Sequence, residues 1–531
     1  MKHPFPSLGR LLSAAGFFAA MLLFAIFLPP LVRTLGAEGA AYFFPALGTW
    51  LFVFLTAGVV FPAVSARAVR TRAALEDYGG CRVIFTDSLL ALVIPGAVLS
   101  ALLALLSNVL GNWFGLPESG DALLGIAPTF LLGFACAAFR GYHLALEKQG
   151  VYGLSLALSA GAGIVLALAL GSAGATAAAK AQLAALGLSI GALLSLVFLG
   201  VMFLRVRREV ERIAPENTPE LPPMKVTARF VWLTGGLSAL ALAAVSLFGR
   251  IDALVLPGRL AVQGYTQHDV RAIFAAFGGA SVIAAFGALL AAALSLGSIQ
   301  SVSHAMRRRD ADSLRTEVGF ALKKVLLLAL PFTAVALVLA KPFAALLFGS
   351  ALTEAELASA VMLAGWAAPC LLLLSVALAT AALLSSMRKA AVALVNLLLA
   401  AVAKLLLDLL LTGEGRNVVG GLYCSILALL LLCAFNTAQL LHRSGAPLDP
   451  INTLAKPAGA AVCMGASLYF LYALFESFLG AVFGAILSLL LGALIYCALI
   501  LVLRVLSRDE LLRLPFGGAI YRFLASSGLY R

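Results

Sequence analysis

The sequence is poor in charge, and the charge that it has is short of acid. Only 11% of the 531 residues are charged, and 37 lysines and arginines stand against 24 aspartates and glutamates. Apolar residues make up 62% of the chain, a share that no water-soluble domain can hide from solvent. The shortage of charge therefore excludes a soluble protein.

Groups that support catalysis or crosslinking are scarce too. The five histidines show no metal-ligand spacing, no acidic pair lies in a long external loop, and no phosphate-binding GxxxxGK[ST] loop occurs. The seven cysteines are scattered and form no CxxC pair, so we expect packing residues rather than disulfides or metal ligands. We therefore expect no enzyme, no metal site and no cofactor beyond a coupling cation.

The chain is rich in long apolar runs. Fourteen stretches are long enough to cross the hydrocarbon core as helices, and their unbroken apolar character rules out barrel strands. The predicted fold class is an all-α polytopic membrane protein with about fourteen transmembrane helices. The predicted spans are residues 11–31, 47–64, 84–107, 123–142, 151–170, 181–204, 230–256, 273–302, 325–348, 357–387, 391–411, 418–441, 458–475 and 479–502.

A charged, proline-rich stretch at residues 205–229 divides the chain. Six spans precede it, six follow it, and two more close the chain, which suggests the duplicated lobes of a transporter with a substrate path between repeats. The predicted parts are an N-terminal six-helix lobe at 1–212, a cytoplasmic linker at 213–228, a C-terminal six-helix lobe at 229–443, and two further helices with a cytoplasmic tail at 444–531.

The distribution of lysine and arginine predicts the orientation. Most of the 37 fall in loops on one side, including the clusters at 67–72, 205–212 and 307–309, and the positive-inside rule places that side in the cytoplasm. Both termini are therefore predicted to be cytoplasmic. The formal charge of +13 is explained by this bias and by anionic lipids of the inner leaflet, so membrane lipids are expected partners and nucleic acid is not.

Few ionisable groups lie inside the spans, where a charge at the bilayer centre costs roughly 2.5 to 3.5 kcal/mol. Arg250 and Asp252 lie in the seventh span, with Arg259 just beyond. Lys404 and Asp408 lie in the eleventh span, four residues apart on one helix face, where they can pair.

Two interpretations of these charges remain open. In the first, Arg250, Arg259 and Lys404 line a cavity and bind phosphate or pyrophosphate, because guanidinium offers a planar fork of donors and ammonium a point charge. In the second, Lys404 pairs with Asp408 and the arginines extend to the outer interface.

Two further arginines lie near span ends. Arg33, at the outer end of the first span, is either an interfacial anchor or a binding group. Arg140, near the inner end of the fourth span, begins a polar cluster that runs to Lys148. Most of that cluster is expected to be a solvated cytoplasmic face, although Arg140 could contact a ligand that enters from inside.

Four segments in matching order resemble a known family. They are residues 31–69, 248–264 (FGRIDALVLPGRLAVQG), 303–349 and 383–411 (LLSSMRKAAVALVNLLLAAVAKLLLDLLL), within a likeness that covers about residues 11–441. The chain is similar to the polysaccharide biosynthesis flippases, nearest to the stage V sporulation protein B-like group, which is related to the lipid II flippases.

The resemblance implies the fold of the multidrug, oligosaccharidyl-lipid and polysaccharide exporter superfamily, with two six-helix lobes around a central cavity and two added helices. It also implies alternating access and an undecaprenyl-pyrophosphate-linked saccharide as substrate. Arg33, Asp252, Arg259 and Lys404 match positions of the family pattern. Within the first span the stretch FFAAMLLFAIFL is wholly apolar and lacks the arginine that lipid II flippases have there.

Together, residues and resemblance predict a flippase of the bacterial cytoplasmic membrane for a lipid-linked saccharide, without covalent chemistry. Envelope-synthesis enzymes are candidate partners. The alternatives are a cation-coupled drug antiporter of the same fold, which would need net negative charge in its cavity, and a non-transporting envelope-assembly scaffold. The predicted substrate-binding residues are Arg250, Lys404, Arg259, Arg33 and Arg140, and the predicted coupling residues for Na⁺ or H⁺ are Asp252 and Asp408.

Overall fold

The computed structural model describes residues 8–211, 223–412, 419–447, 449–513 and 517–526. Within these ranges every regular element is a helix, so the predicted all-α polytopic class is confirmed. The predicted linker at 213–228 lies mostly outside them, and its last residues, from Met224 onward, begin a helix.

The helices are numbered α1 to α20 along the described chain. The first half contains α1 Leu8–Leu55, α2 Phe61–Ala73, α3 Tyr78–Trp113, α4 Ser119–Ile126, α5 Pro128–Ala145, α6 Gln149–Ala157, α7 Gly163–Gly171 and α8 Ala177–Glu211. The second half contains α9 Met224–Phe230, α10 Leu237–Ala241, α11 Ala244–Val262, α12 Gln267–Arg308, α13 Ala311–Val338, α14 Ala340–Phe348, α15 Glu354–Ser386, α16 Ala390–Leu411 and α17 Val419–Ser444. The C-terminal part contains α18 Lys456–Val502, α19 Arg508–Leu512 and α20 Gly517–Ser526.

Short irregular turns interrupt several of these helices. Single π-helical turns lie at Thr56–Val60, Leu158–Ala162, Val231–Gly236 and Ile451–Ala455, and a 3₁₀ turn lies at Gly349–Ala351. A π-helical turn leaves backbone carbonyls without their regular partners, so other groups can bond them. One of these turns contributes to a buried site described below.

Polar side chains fix where several helices begin. Thr266 forms a capping box with Asp269 at the start of α12, and Thr353 forms one with Glu356 at the start of α15. Asp310 precedes α13 and accepts a hydrogen bond from the backbone nitrogen of Ser313 at 2.9 Å. Hydrogen bonds from Ser313 lower the pKa of Asp310 below its usual value. Polar residues of these short loops therefore cap the helices that follow them.

Eleven helical stretches of the described chain are long and apolar enough to cross a membrane, and α9 to α11, bent by 54°, form a twelfth. Two of the eleven, Ala15–Ala73 and Ile451–Val502, are 59 and 52 residues long. At 1.5 Å per residue each is far longer than the roughly 30 Å of one crossing. When each is counted as two crossings, the number reaches the predicted fourteen.

Each of these two long stretches reverses direction at a glycine. Gly36 has φ 71° and Gly480 has φ 74°, a left-handed backbone that other residues rarely adopt. The two arms of the first hairpin lie side by side, because the ring of Phe24 stacks on Trp50 with centroids 4.8 Å apart. In the second hairpin Gly492 lies against Leu468. The two glycines thus connect the first and the last pairs of spans.

Helices α1 to α8 pack mainly on one another and form the N-terminal lobe, and α10 to α17 form the C-terminal lobe. Helix α9, which precedes α10, contacts α3 of the N-terminal lobe. The lobes meet along a seam where α1 contacts α11, α12 and α14. The hairpin α18 packs on α13, where the Tyr496 hydroxyl donates to the carbonyl of Leu327 at 2.8 Å. We call the two ends of the molecule inner and outer, after the orientation predicted from the lysine and arginine bias.

Candidate functional site

The C-terminal lobe contains a buried ion-pair cluster between α11, α16 and α17. The Lys404 ammonium donates to Oδ1 of Asp252 at 2.6 Å and to Oγ of Ser425 at 2.9 Å. It also donates to Oδ1 of Asp408, one turn further along α16, at 3.3 Å. Lys404 and Asp408 are completely buried, and Asp252 is nearly so. The three protons of the ammonium are thus directed at three oxygen atoms.

The predicted pair between Lys404 and Asp408 is present. Packing between helices brings Asp252 and Ser425 to the same site. The side chains of Lys404 and Asp408 lie on the buried face of α16, while Leu406 and Leu410 on its other face are exposed, as on a lipid-facing helix. Asp252 reaches the pair because α11 packs against α16. Ser425 belongs to α17, and nothing in the sequence distinguishes it from the other serines.

The cluster has an uneven charge. When ionised, two carboxylates face a single ammonium, which leaves one negative charge in excess among buried groups. Asp252 and Ser425 also line a small cavity of about 60 Å³, together with Ser281, Phe248 and apolar residues of α15. Since one water needs roughly 10–15 Å³ by this kind of measure, the cavity has room for several waters or a small cation. A second cation or a proton there would balance the cluster.

The N-terminal lobe also buries a cation, Arg140 of α5, and no carboxylate of the described chain pairs with it. Its Nε donates to Oγ of Ser155 at 2.9 Å, and its Nη2 donates to the Ser155 carbonyl at 3.2 Å and to Oγ of Ser195 at 3.1 Å. Its Nη1 donates to the Ala57 carbonyl at 3.4 Å, within the π-helical turn Thr56–Val60. Neutral dipoles alone satisfy this guanidinium.

The expectation of a solvated polar cluster from Arg140 to Lys148 is wrong for its first members. Arg140 and His143 are 2% and 0% exposed, whereas Glu147 and Lys148 are exposed as expected. The reason is that serines of neighbouring helices and a carbonyl of a π-helical turn supply acceptors inside the lobe. Sequence spacing within α5 reveals neither of these.

Arg250 lies at the seam between the lobes. Its Nη2 donates to the carbonyl of Pro45 and to the hydroxyl of Thr49, both on α1, while Arg250 itself belongs to α11. The guanidinium carbon lies 5.9 Å from the ring centroid of Phe114. Within the described residues no carboxylate forms an ion pair with it. Arg250 therefore lies between the two lobes, with neutral partners on α1 and no carboxylate partner in the described chain.

The two remaining predicted arginines bond to the ends of helices. Arg33 donates to the carbonyl of Ala345 near the end of α14 at 3.1 Å, and Arg259 donates to that of Leu409 near the end of α16 at 2.8 Å. Cations favour such positions because carbonyls at a helix C-terminus lack partners. Neither arginine bonds to the Lys404 cluster.

The outer end of the seam contains ion pairs that sequence reasoning missed. Arg271 of α12 pairs with Glu38 of α1 and, at 3.5 Å, with Glu118 near the start of α4. The Glu38 carboxylate also accepts a hydrogen bond from the Tyr42 hydroxyl at 3.0 Å. The sequence analysis considered charges inside the spans and therefore did not include these residues. Their opposite charges near short outer loops could have predicted the ion pairs. They attach the C-terminal lobe to the N-terminal lobe at this end.

No protein-family model matches the chain, and no curated protein matches it significantly. The fold is shared with an inward-facing multidrug resistance MATE family transporter of the MOP superfamily, 15% identical over 82% of this chain and 100% of that one, with a TM-score of 0.60. It is shared with the lipid II flippase MurJ in an inward closed conformation, 12% identical over 92% and 98%, with a TM-score of 0.61. The eukaryotic MATE transporter AtDTX14 is 12% identical over 85% and 98%, with a TM-score of 0.60. The fold that the sequence resemblance implies is therefore confirmed.

Proposed function

We propose that the protein is a transporter that moves an undecaprenyl-pyrophosphate-linked saccharide across the bacterial cytoplasmic membrane by alternating access. The observation that supports this most directly is Arg250, which lies at the seam between the lobes without a carboxylate partner in the described chain. A cation in the membrane region is costly unless it serves a partner, and a diphosphate matches the donor fork of a guanidinium. No bond is made or broken, so the protein is not an enzyme.

The two ends of the substrate have opposite requirements. The diphosphate and sugar must avoid hydrocarbon, while the polyprenyl tail can remain in the bilayer throughout. A path along the seam past Arg250 would separate these requirements, with the headgroup between the lobes and the tail in the surrounding lipid. Rocking of the lobes about the seam would then release the headgroup at the outer side.

The buried cluster of the C-terminal lobe is the proposed coupling site. Its excess negative charge beside a small polar cavity would accept H⁺ or Na⁺ at Asp252 or Asp408. The Lys404 ammonium is held by three oxygens, so contact with a substrate anion would require it to leave its carboxylates. The proposal therefore assigns headgroup binding to Arg250 and ion coupling to the cluster around Lys404.

The second candidate is a cation-coupled drug antiporter of the same fold. The observation that favours it is the same cluster, since a carrier of cationic compounds needs negative charge, and two carboxylates there meet one ammonium. The likeness to multidrug transporters of the MATE family adds to its weight. The two candidate functions differ in the charged group that contacts the substrate. That group is Arg250 in the flippase and the carboxylates beside Lys404 in the antiporter.

The test is transport by the full-length protein in liposomes. Fluorescent undecaprenyl-pyrophosphate-linked saccharide and the cationic dye ethidium are offered separately, with an imposed Na⁺ or H⁺ gradient. We expect headgroup translocation by the wild type and a loss of about tenfold to a hundredfold in Arg250→Gln, since a charge-assisted hydrogen bond contributes roughly 1.5–3 kcal/mol. Arg315→Gln is the control, because Arg315 pairs with Asp312 on the exposed surface.

Each outcome selects one function. Dye movement without saccharide movement would replace the flippase with the antiporter. Movement of neither under both gradients would favour the assembly scaffold. Equal saccharide transport by Arg250→Gln and the wild type would remove Arg250 from the proposed path.

A further inference from the structure

Four aromatic rings stack face to face at the seam between the lobes. Phe54 stacks on Trp50, and Trp50 stacks on Phe24, with ring centroids 4.9 and 4.8 Å apart and ring planes 17° and 22° from parallel. Phe24 stacks in turn on Phe286, at 4.9 Å and 26°. The first three rings belong to α1 of the N-terminal lobe, and Phe286 belongs to α12 of the C-terminal lobe. We call these four residues the aromatic stack.

The aromatic stack lies deep in the protein and at mid-membrane depth. All four of its side chains are buried. Phe24 and Phe286 lie near the middle of the predicted spans 11–31 and 273–302. Transporters built from repeats usually bind their substrates at this depth, between the repeats. The stack thus lies at the depth, and between the parts of the molecule, where a substrate site is expected.

The aromatic stack adjoins both polar groups of the proposed transport path. Trp50 directly follows Thr49, whose hydroxyl accepts a hydrogen bond from Arg250. Phe286 directly follows two alanines of α12 that line the small cavity beside Asp252. The chain therefore connects the stack at one side to the cation proposed for the diphosphate and at the other side to the cavity proposed for the coupling ion.

The contact between Phe24 and Phe286 is the one in this run that crosses between the lobes. When the lobes move apart at α1 and α12, these two faces must separate, while Phe24, Trp50 and Phe54 remain together on α1. Two nearly parallel faces that separate leave a slot with flat walls. Exposure of such apolar faces to water is unfavourable, so the open slot favours an occupant with apolar faces of its own.

A pyranose ring has the shape and the chemistry that such a slot requires. Its two faces carry C–H bonds, and its hydroxyl groups project from the rim. The face of an aromatic ring is electron-rich and attracts the hydrogens of C–H groups that lie on it. A sugar between two aromatic faces therefore covers the apolar walls while its hydroxyl groups remain free to bond to water or protein.

We propose that the faces of Phe24 and Phe286 part to form a slot for the sugar ring that is attached to the diphosphate of the lipid-linked substrate. The proposal rests on the transport function proposed above and adds to it the site that binds the sugar. A movement of α1 away from the C-terminal lobe frees Arg250 from Thr49 and separates Phe24 from Phe286. One movement thus prepares the diphosphate site and the sugar site together.

The test compares two lipids that differ only in the sugar. Full-length protein in detergent is titrated with undecaprenyl pyrophosphate and with undecaprenyl-pyrophosphate-linked glucose, and microscale thermophoresis gives both dissociation constants. We expect the wild type to bind the glucose-bearing lipid about tenfold more tightly, because contacts between ring faces contribute free energy of that order. In Phe286→Leu, which stays apolar and loses the flat face, this preference should fall to about twofold. In Phe286→Tyr, which keeps the face, it should remain.

Phe85→Leu is the matched control. Phe85 is also buried and stacks on Phe203, with ring centroids 4.7 Å apart, but both rings belong to the N-terminal lobe. The substitution therefore removes the same kind of contact away from the seam, and we expect the wild-type preference for the glucose-bearing lipid. Because the preference is a ratio within one variant, a partial loss of folded protein affects both lipids equally and cancels.

Three results would overturn the slot. They are equal affinity of the wild type for the two lipids, an unchanged preference in Phe286→Leu, and an equal loss of preference in Phe85→Leu. Ethidium binding that depends on Phe286, without any preference for the glucose-bearing lipid, would assign the stack to the drug antiporter. Failure of the transport function has a different signature, in which the preference depends on Phe286 but the wild type moves neither lipid in liposomes. Movement of the glucose-bearing lipid with an unchanged preference in Phe286→Leu rejects the slot alone.

Discussion

Each of the two lobes has a cation deep among its helices, Arg140 in one and Lys404 in the other, and the two cations are compensated in opposite ways. In the N-terminal lobe Arg140 meets only hydroxyl and carbonyl groups of Ser155, Ser195 and Ala57, which leaves one positive charge in excess. In the C-terminal lobe Lys404 meets two carboxylates, which leaves one negative charge in excess. The two lobes thus contain centres of opposite charge.

The difference assigns different roles to the two centres. Neutral dipoles around a guanidinium cannot exchange protons or ions, so the Arg140 centre is suited to connecting the helices of its lobe. Two carboxylates around one ammonium form a site of variable charge, and the cavity beside Asp252 gives ions and water a place to enter. Under the proposed function, the cluster around Lys404 is therefore the one whose charge can change when an ion or a proton binds.

The largest expected effect comes from removing the ammonium. Lys404→Ala leaves two buried carboxylates, Asp252 and Asp408, without a counter-charge. Breaking a buried ion pair from one side costs about 3–5 kcal/mol, so we expect a loss of stability of that order. Thermal unfolding in detergent, followed by the midpoint of aggregation or of helix loss, measures it.

A compensated variant provides the control for that prediction. In Lys404→Met combined with Asp252→Asn and Asp408→Asn, all three charges are absent, and we expect most of the stability to return. If the compensated variant is as unstable as Lys404→Ala, the loss comes from packing around Lys404 rather than from charge, and the contrast between the lobes fails.

A smaller effect is expected from the opposite lobe. Arg140→Met removes a cation that has no counter-ion to leave behind, and the hydroxyl of Ser195 still donates to the carbonyl of Ser155 at 2.8 Å. The remaining unsatisfied acceptors cost about 1–3 kcal/mol in total, less than in Lys404→Ala. The same unfolding measurement ranks the two variants, and an equal or larger loss in Arg140→Met would reverse the ranking.

The sequence predicts contacts between residues that are close along the chain. It does not predict contacts between residues that are far apart along the chain. The spans follow from the length of the apolar runs. The pair Lys404 and Asp408 follows from helical spacing, because residues four apart share a helix face. Asp252 lies 152 residues before Lys404, and only the packing of α11 on α16 brings them together. Periodicity within a helix contains no information about such contacts.

The Arg140 centre was beyond prediction for a second reason. Its partners are two serines and a backbone carbonyl, and their chemistry is too common in the sequence to mark a site. The carbonyl of Ala57 is available only because the helix forms a π-helical turn there, which the composition of that segment does not signal. Polar near-neighbours such as Glu147 made the cluster look solvated, although its buried part points into the lobe.

The smallest expected effect on stability, and the sharpest test of the contrast, comes from Asp252→Asn. The variant keeps one carboxylate for Lys404, and the amide oxygen can still accept from the ammonium, so we expect a loss of about 1 kcal/mol or less. It removes the excess negative charge, and with it the reason for a cation to bind. We therefore expect Na⁺, compared with choline at equal ionic strength, to raise the unfolding temperature of the wild type and not that of Asp252→Asn, because a ligand that binds only the folded state stabilises it. A response to Na⁺ that survives in both Asp252→Asn and Asp408→Asn would place the ion elsewhere, and the C-terminal cluster would then be a structural centre like that of Arg140.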